Sequence, residues 1–204
     1  MMSKIGRAFR FWFMAIFKPG HVFNTFRLDP NKLEVSLWLL FFFGIFYSIT
    51  ALILYFVKVL PVIEPWLPIS TEKYYLYQTF WTVPWGLATA IMLAGIAHVM
   101  ATLARDNAPS FTFEDALVVN SIAWVIPSFI LMWLPETFIV PFFGRVPWPG
   151  WIDLLRLSLL APIWQVVLVT VGMRKTHKVT WIRGILIGLV VTGVSFGMFL
   201  PIMR

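Results

Sequence analysis

Apolar positions along the chain fall into five long runs. They lie at about 36–57 (SLWLLFFFGIFYSITALILYFV), 82–104, 115–134, 152–173 and 182–203, separated by short polar or proline-rich stretches. Crossing the roughly 30 Å hydrocarbon core of a bilayer takes about 20 predominantly apolar residues in a helix. The pattern therefore predicts an all-α polytopic membrane protein with five transmembrane helices over 35–204. The segment 1–34 stands apart as a cytoplasmic or interfacial lead. There Ile5, Phe9, Trp12, Phe13 and Ile16 share one helical face, with Arg7 and Arg10 off it. That is the pattern of an amphipathic helix lying in a membrane interface, or of a helix packed on its own bundle. The apolar run 11–17 is short and aromatic and stops at Lys18-Pro19-Gly20 without a small-x-small cleavage site, so a signal peptide is not expected.

Composition narrows the class. Hydrophobic residues make up 60% of the 204 and charged ones 12%, against roughly 45–50% and about 25% in soluble domains. A water-soluble fold and intrinsic disorder are both excluded on these figures. There is no Cys, which removes disulfides, thiol catalysis and thiolate metal sites.

The net charge of +7 suggests nucleic acid only until the charges are sorted by side. With the N-terminus inside, one side receives Lys4, Arg7, Arg10, Lys18, Arg27, Lys32, Arg105, Arg174, Lys175, Lys178 and Arg183. The other receives only Lys58, Lys73, Arg145, Arg156 and Arg204. By the positive-inside rule the N-terminus is expected in the cytoplasm and the C-terminus outside, in the cytoplasmic (inner) membrane. Trp66, Trp81, Trp85, Trp133, Trp148 and Trp151 cluster toward the expected outer ends, as headgroup-level tryptophans do.

Within the spans, Pro127 and Pro162 are deep enough to kink their helices, while Pro84 is near an end and is expected only to start one. Gly184-xxx-Gly188 and Gly193-xxx-Gly197 suit close helix approach, inside the bundle or between two copies. The notable polar residues are His98, Asn120, Ser121, Gln165 and Thr170, and no acid or base falls at mid-span. Asn120 and Gln165 are expected to hydrogen-bond between helices. Asp153 and Arg156, at the start of the fourth run, are expected to reach the interface. His98, Asp106, Glu114, Asp115 and His177 share the inner side, but none has metal-ligand spacing. Thr112 with Glu114 and Asp115 suits a helix start. No enzyme activity, metal, cofactor or nucleic-acid partner is expected.

The order of segments resembles the Yip1 domain family. The resemblance rests on Phe17-Lys18-Pro19-Gly20-His21-Val22-Phe23 in the lead, then His98-Val99-Met100-Ala101, Ser110-Phe111, Leu117 and Pro127, and later Trp164, Gly172 and His177-Lys178-Val179-Thr180. The family's Gly-Gly-x-Gly loop is replaced here by Arg105-Asp106-Asn107-Ala108-Pro109. The acidic tail that serves Rab partners of eukaryotic members has no counterpart, so the resemblance implies the short prokaryotic form. It implies an organising or assembly protein whose partners are membrane lipids and another membrane protein or a second copy. Lys4, Arg7, Arg10, Trp12, Arg174, Lys175 and Lys178 are the expected lipid or partner surface, held near anionic headgroups at about 1 kcal/mol per basic residue. The alternative is a small transporter or lipid-translocating protein, with Pro127, Pro162, Asn120 and Gln165 lining the path.

Overall fold

A computed structural model describes residues 4–61, 68–103 and 111–199, with Lys4 and Phe199 by backbone alone. It is helical throughout, with no strand among the described residues. The chain begins with α1 (Lys4–Phe17) and α2 (Pro19–Arg27), then α3 (Lys32–Phe56). After a single 3-10 turn comes α4 (Tyr74–Leu103), followed by α5 (Phe113–Ser128). A π-helical turn at 129–133 leads into the short α6 (Leu134–Phe138) and α7 (Val140–Phe143). The return begins with α8 (Gly150–Asp153), passes a second π-helical stretch at 154–160, and continues as α9 (Ala161–Thr176) and α10 (Trp181–Phe199).

Five helical stretches are long and apolar enough to cross a membrane: Lys32–Phe56, Thr71–Leu103, Phe113–Phe143, Gly150–Thr176 and Trp181–Met198. Each coincides with one of the five apolar runs. Their outward faces carry large apolar side chains, Phe56, Phe80, Phe142, Leu154 and Ile182 among them, each more than 60% exposed. Soluble monomers rarely show contiguous apolar surface on this scale.

The middle stretch is the axis of the bundle. Every residue of α5 from Asp115 to Pro127 is buried, and α5 touches α1, α2, α3, α4 and α9. A helix that is apolar all round belongs in a core. The lead is part of that core: Val22, Phe23 and Phe26 of α2 are fully buried, and Phe11 of α1 stacks on Phe26 at 4.4 Å. The inward side of α1 carries Ala8, Trp12 and Ala15, while Ile5 and Phe13 are exposed.

Lipid tails are as apolar as leucine, so helices in a bilayer gain from close packing rather than from the hydrophobic effect. This chain supplies the close approaches with glycine. A Cβ on Gly44 would lie 3.2 Å from the Val83 Cα, one on Gly172 would lie 2.5 Å from a Val119 methyl, and one on Gly188 would lie 2.9 Å from the Val166 carbonyl oxygen. The first of the two glycine pairs on α10 is therefore spent inside the bundle, on α9. Gly193 and Gly197, by contrast, face open space.

Three sequence expectations change. The third run does not end at 134 but stays helical to Phe143, with Pro135 and Pro141 in the first turns of α6 and α7, positions where proline's fixed φ suits a helix. Only at Gly144, in the left-handed conformation at φ 64°, does the chain turn away. The second run starts earlier, at Tyr74, so Pro84 lies inside α4 rather than opening it. Finally, both π-helical stretches contain the carbonyl that a proline four residues later cannot bond: Leu131 for Pro135 and Ser158 for Pro162. Local widening of this kind accommodates the ring and the missing donor.

Substituting Gly188 by Leu should force α9 and α10 apart and lower stability by about 1–3 kcal/mol or more. Gly193→Leu should stay within about 0.5 kcal/mol of the parent. Thermal unfolding of the detergent-solubilised variants, read by circular dichroism, checks the contrast.

Candidate functional site

Two polar clusters occupy opposite ends of the bundle. The first, at the basic end, joins the lead to α3, α5, α9 and α10. Thr112 caps α5 in a reciprocal capping box, its hydroxyl accepting from the Asp115 N–H while Asp115 accepts from the Thr112 N–H at 3.1 Å. Such a box satisfies two donors that a helix start would otherwise leave bare. Lys32 closes it, its Nζ 2.6 Å from the Asp115 carboxylate, which is 3% exposed.

The expected surface residues fall on both sides of this cluster. Arg7 is turned inward onto Asp29 at 3.0 Å. The Arg174 guanidinium lies 3.6 Å from the centre of the Trp181 ring, and Arg27 lies 5.2 Å from that of Phe111. Trp12 packs edge-on against Phe129 at 4.2 Å. Arg10, Lys175 and Lys178 are exposed. The side chain of Lys4 lies outside the described residues, as does Asp106.

His98 and His177, far apart in sequence, meet here with ring centres 5.8 Å apart. The Thr176 hydroxyl lies 2.8 Å from Nδ1 of the buried His177. Phe113 stands edge-on to His98 and Phe111 stacks on His177. Among the described residues no group of three or more His, Asp or Glu is close enough to hold a metal ion. The expected polar bridges inside the bundle also take another form. Asn120 donates to the Ala116 carbonyl of its own helix at 2.8 Å, and the Gln165 amide nitrogen is buried without a partner. A side-chain amide four residues from a helical carbonyl has a local acceptor at no cost in helix geometry.

The second cluster lines a cavity of about 150 Å³ in the half of the bundle away from the basic end. Trp124, Pro127 and Gly86 form its deep wall, and Pro162, Gln165 and Ser195 close it from α9 and α10. Aromatic side chains from α3 and the first turns of α4 complete it, with Trp81 and Trp85 stacked at 5.7 Å.

Charge enters this cavity from stretches that read as loop or interface in the sequence. Glu136, on α6, accepts a short hydrogen bond from the Tyr47 hydroxyl of α3, and Thr50 and Thr137 are paired one turn away at 2.6 Å. Asp153 accepts both from the Trp148 indole at 2.7 Å and from Arg156 at 2.6 Å. The Arg156 guanidinium also lies 4.8 Å from the Trp148 ring centre, and its side chain is only 11% exposed.

Asp153 and Arg156, expected to reach an interface, line this cavity and pair with each other. The reason is local. The π-helical stretch begins at Leu154, right after the acid, and shifts the register of the following residues relative to an α-helix. The only sequence cue was the i, i+3 spacing of Asp153 and Arg156 beside Trp148. No sequence signal marked Glu136, which sits between two prolines.

No family model, no curated protein and no solved structure matches the chain.

Asp115→Ala removes the cap and the carboxylate that holds Lys32. It should lower unfolding stability by at least about 1–2 kcal/mol. Glu114→Ala, whose carboxylate is 43% exposed and 3.9 Å from Lys32, should cost well under about 1 kcal/mol. Parallel chemical unfolding of the two variants measures the difference.

Proposed function

We propose that this chain is a non-enzymatic, multi-pass membrane protein that takes up an amphiphile, a membrane lipid, with the polar part in the cavity and the apolar part along the aromatic walls. The observation that carries the reading is the cavity itself, a largely apolar pocket with a few polar and charged groups, beside Pro127, Pro162 and Gln165 within five apolar helices. Its volume equals that of an engineered cavity that admits a benzene-sized molecule. That suits a headgroup and leaves acyl chains outside, against the bundle.

The organising role implied by the Yip1 resemblance draws on basic surface residues. Of these, Arg7 is committed to an internal ion pair and Arg174 to a ring contact, which leaves a weaker anionic-lipid surface of Arg10, Lys175 and Lys178. That reduced surface still suits an inner leaflet. With the basic end cytoplasmic, the cavity lies in the outer half of the membrane, and lipid handling or translocation is the reading the geometry supports best.

Native mass spectrometry of the protein released from bilayer discs tests it. The expected result is about one lipid retained per chain, falling severalfold in Ser195→Phe, which fills the cavity from α10, with unchanged helicity. Equal retention by the parent and the filled variant would overturn the reading.

A further inference from the structure

The cavity presents an uneven set of hydrogen-bonding atoms. Nε and Nη1 of Arg156, Nε2 of Gln165 and Nε1 of Trp85 are buried donors without a partner among the described residues. Against these four stands one partnerless acceptor, Oε1 of Gln78, and one hydroxyl that serves either way, that of Thr192. Gln165 is only 8% exposed and Thr192 only 5%. A buried donor left bare costs free energy, more so on a charged group. The group that relieves this cavity therefore brings several acceptor oxygens.

Arg156 is already oriented for such a group. Asp153 holds one Nη, Trp148 supports the guanidinium plane, and the remaining N–H groups are available in a fixed fork, the geometry that suits phosphate and carboxylate oxygens.

The lining adds a second requirement. Two carboxyl groups, Glu136 and Asp153, share the cavity with one guanidinium. Asp153 is taken by Arg156 and Trp148, while Glu136 stands apart beside Tyr47 with oxygen atoms that accept. A ligand that carries an N–H-bearing cation beside its anionic oxygens meets both the donors and these acceptors. Tyr47 beside Glu136, and Trp81 and Trp85 elsewhere on the same lining, offer ring faces that attract ammonium groups.

From this arrangement we infer that the cavity recognises a zwitterionic headgroup, with anionic phosphate oxygens on Arg156 and Gln165 and an ammonium toward Glu136 and the aromatic rings. Phosphoethanolamine and phosphocholine lipids have this chemistry. The inference rests on the lipid-handling reading and specifies its ligand. Arg156 and Gln165 hold the phosphate, and Glu136 with the aromatic rings receives the ammonium.

The experiment uses the whole protein in discs of defined composition. Retained lipid is counted by native mass spectrometry in competition among phosphatidylethanolamine, phosphatidylglycerol and diacylglycerol. The parent is expected to favour phosphatidylethanolamine about tenfold over diacylglycerol and severalfold over phosphatidylglycerol. Arg156→Gln should abolish the first preference, and Gln165→Leu should weaken it without disturbing the Asp153 pair. Glu136→Gln should erase discrimination between the two phospholipids.

Should Arg156→Gln fail to fold, Gln165→Leu and Glu136→Gln still decide the matter. Equal retention of diacylglycerol and phosphatidylethanolamine by the parent would overturn the headgroup assignment while leaving lipid handling intact. Equal retention of the two phospholipids would overturn the zwitterion. No retained lipid of any kind would overturn the parent reading as well. Free phosphoethanolamine is added as a competitor: failure to displace the lipid supports a membrane source, and displacement at equal concentration overturns it.

Discussion

Everything in this bundle is arranged around a helix that has no exposed side. Along α5 no residue between Asp115 and Pro127 reaches the surface, so each of its faces must be matched by a neighbour. In an apolar solvent the match is made by contact distance, because no hydrophobic gain accrues from hiding leucine among lipid tails. The glycines at 86 and 172 are placed for this. One receives the edge of Trp124 and the other receives Val119, both of them α5 side chains. The lead follows the same logic. Its α2 fills the groove beside α9 with Val22, Phe23 and Phe26, and Phe23 reaches the same glycine at 172. A segment that reads as a surface appendage is therefore also part of the wall around α5.

Prolines decide where this close packing gives way. Pro135 and Pro162 each deprive a carbonyl four residues earlier of its partner, and in both cases the helix widens to π geometry across that carbonyl. Such widenings rotate the side chains that follow, and π-helical insertions are common at functional sites. Here they fall on the two strokes of one hairpin, leading away from α5 and back into α9. The cavity lies between them, with Glu136 just past one widening and Arg156 within the other.

The hydropathy pattern made the five helices legible, since length and apolar content are what a bilayer selects. The cap at Thr112 was legible too, because its chemistry lies within four residues. Glu136 and Arg156 were not. Glu136 lies just past the third run and Arg156 at the start of the fourth, beside prolines and tryptophans that mimic an interfacial loop, and only three-dimensional register turns them inward. Likewise the meeting of His98 with His177 depends on α4 and α9 both packing on α5, which no local spacing encodes. Counting basic residues by side gave no sign that Arg7 and Lys32 answer to Asp29 and Asp115, because pairing partners separated by 22 and 83 positions leave no pattern in a linear reading.

The inward pair of Asp153 and Arg156 is difficult to explain as a stabilising device. Arg156 is largely withdrawn from water while Asp153 stays 25% exposed, so the guanidinium loses hydration that one partly exposed carboxylate returns only in part. The pair also leaves two guanidinium nitrogens, Nε and Nη1, without a partner, which adds to the cost rather than reducing it. An arrangement that is unfavourable in the empty protein, yet held rigid by Trp148 and the π-helical turn, keeps its interaction energy in reserve for a ligand. When that ligand is a component of the surrounding bilayer, its local concentration is that of a solvent. Even modest affinity then keeps the site filled and stabilises the folded bundle by mass action. The cavity and the close-packed axis are in this sense complementary: α5 packs against five other helices, and on the proposed reading that packing supports a region which a lipid completes.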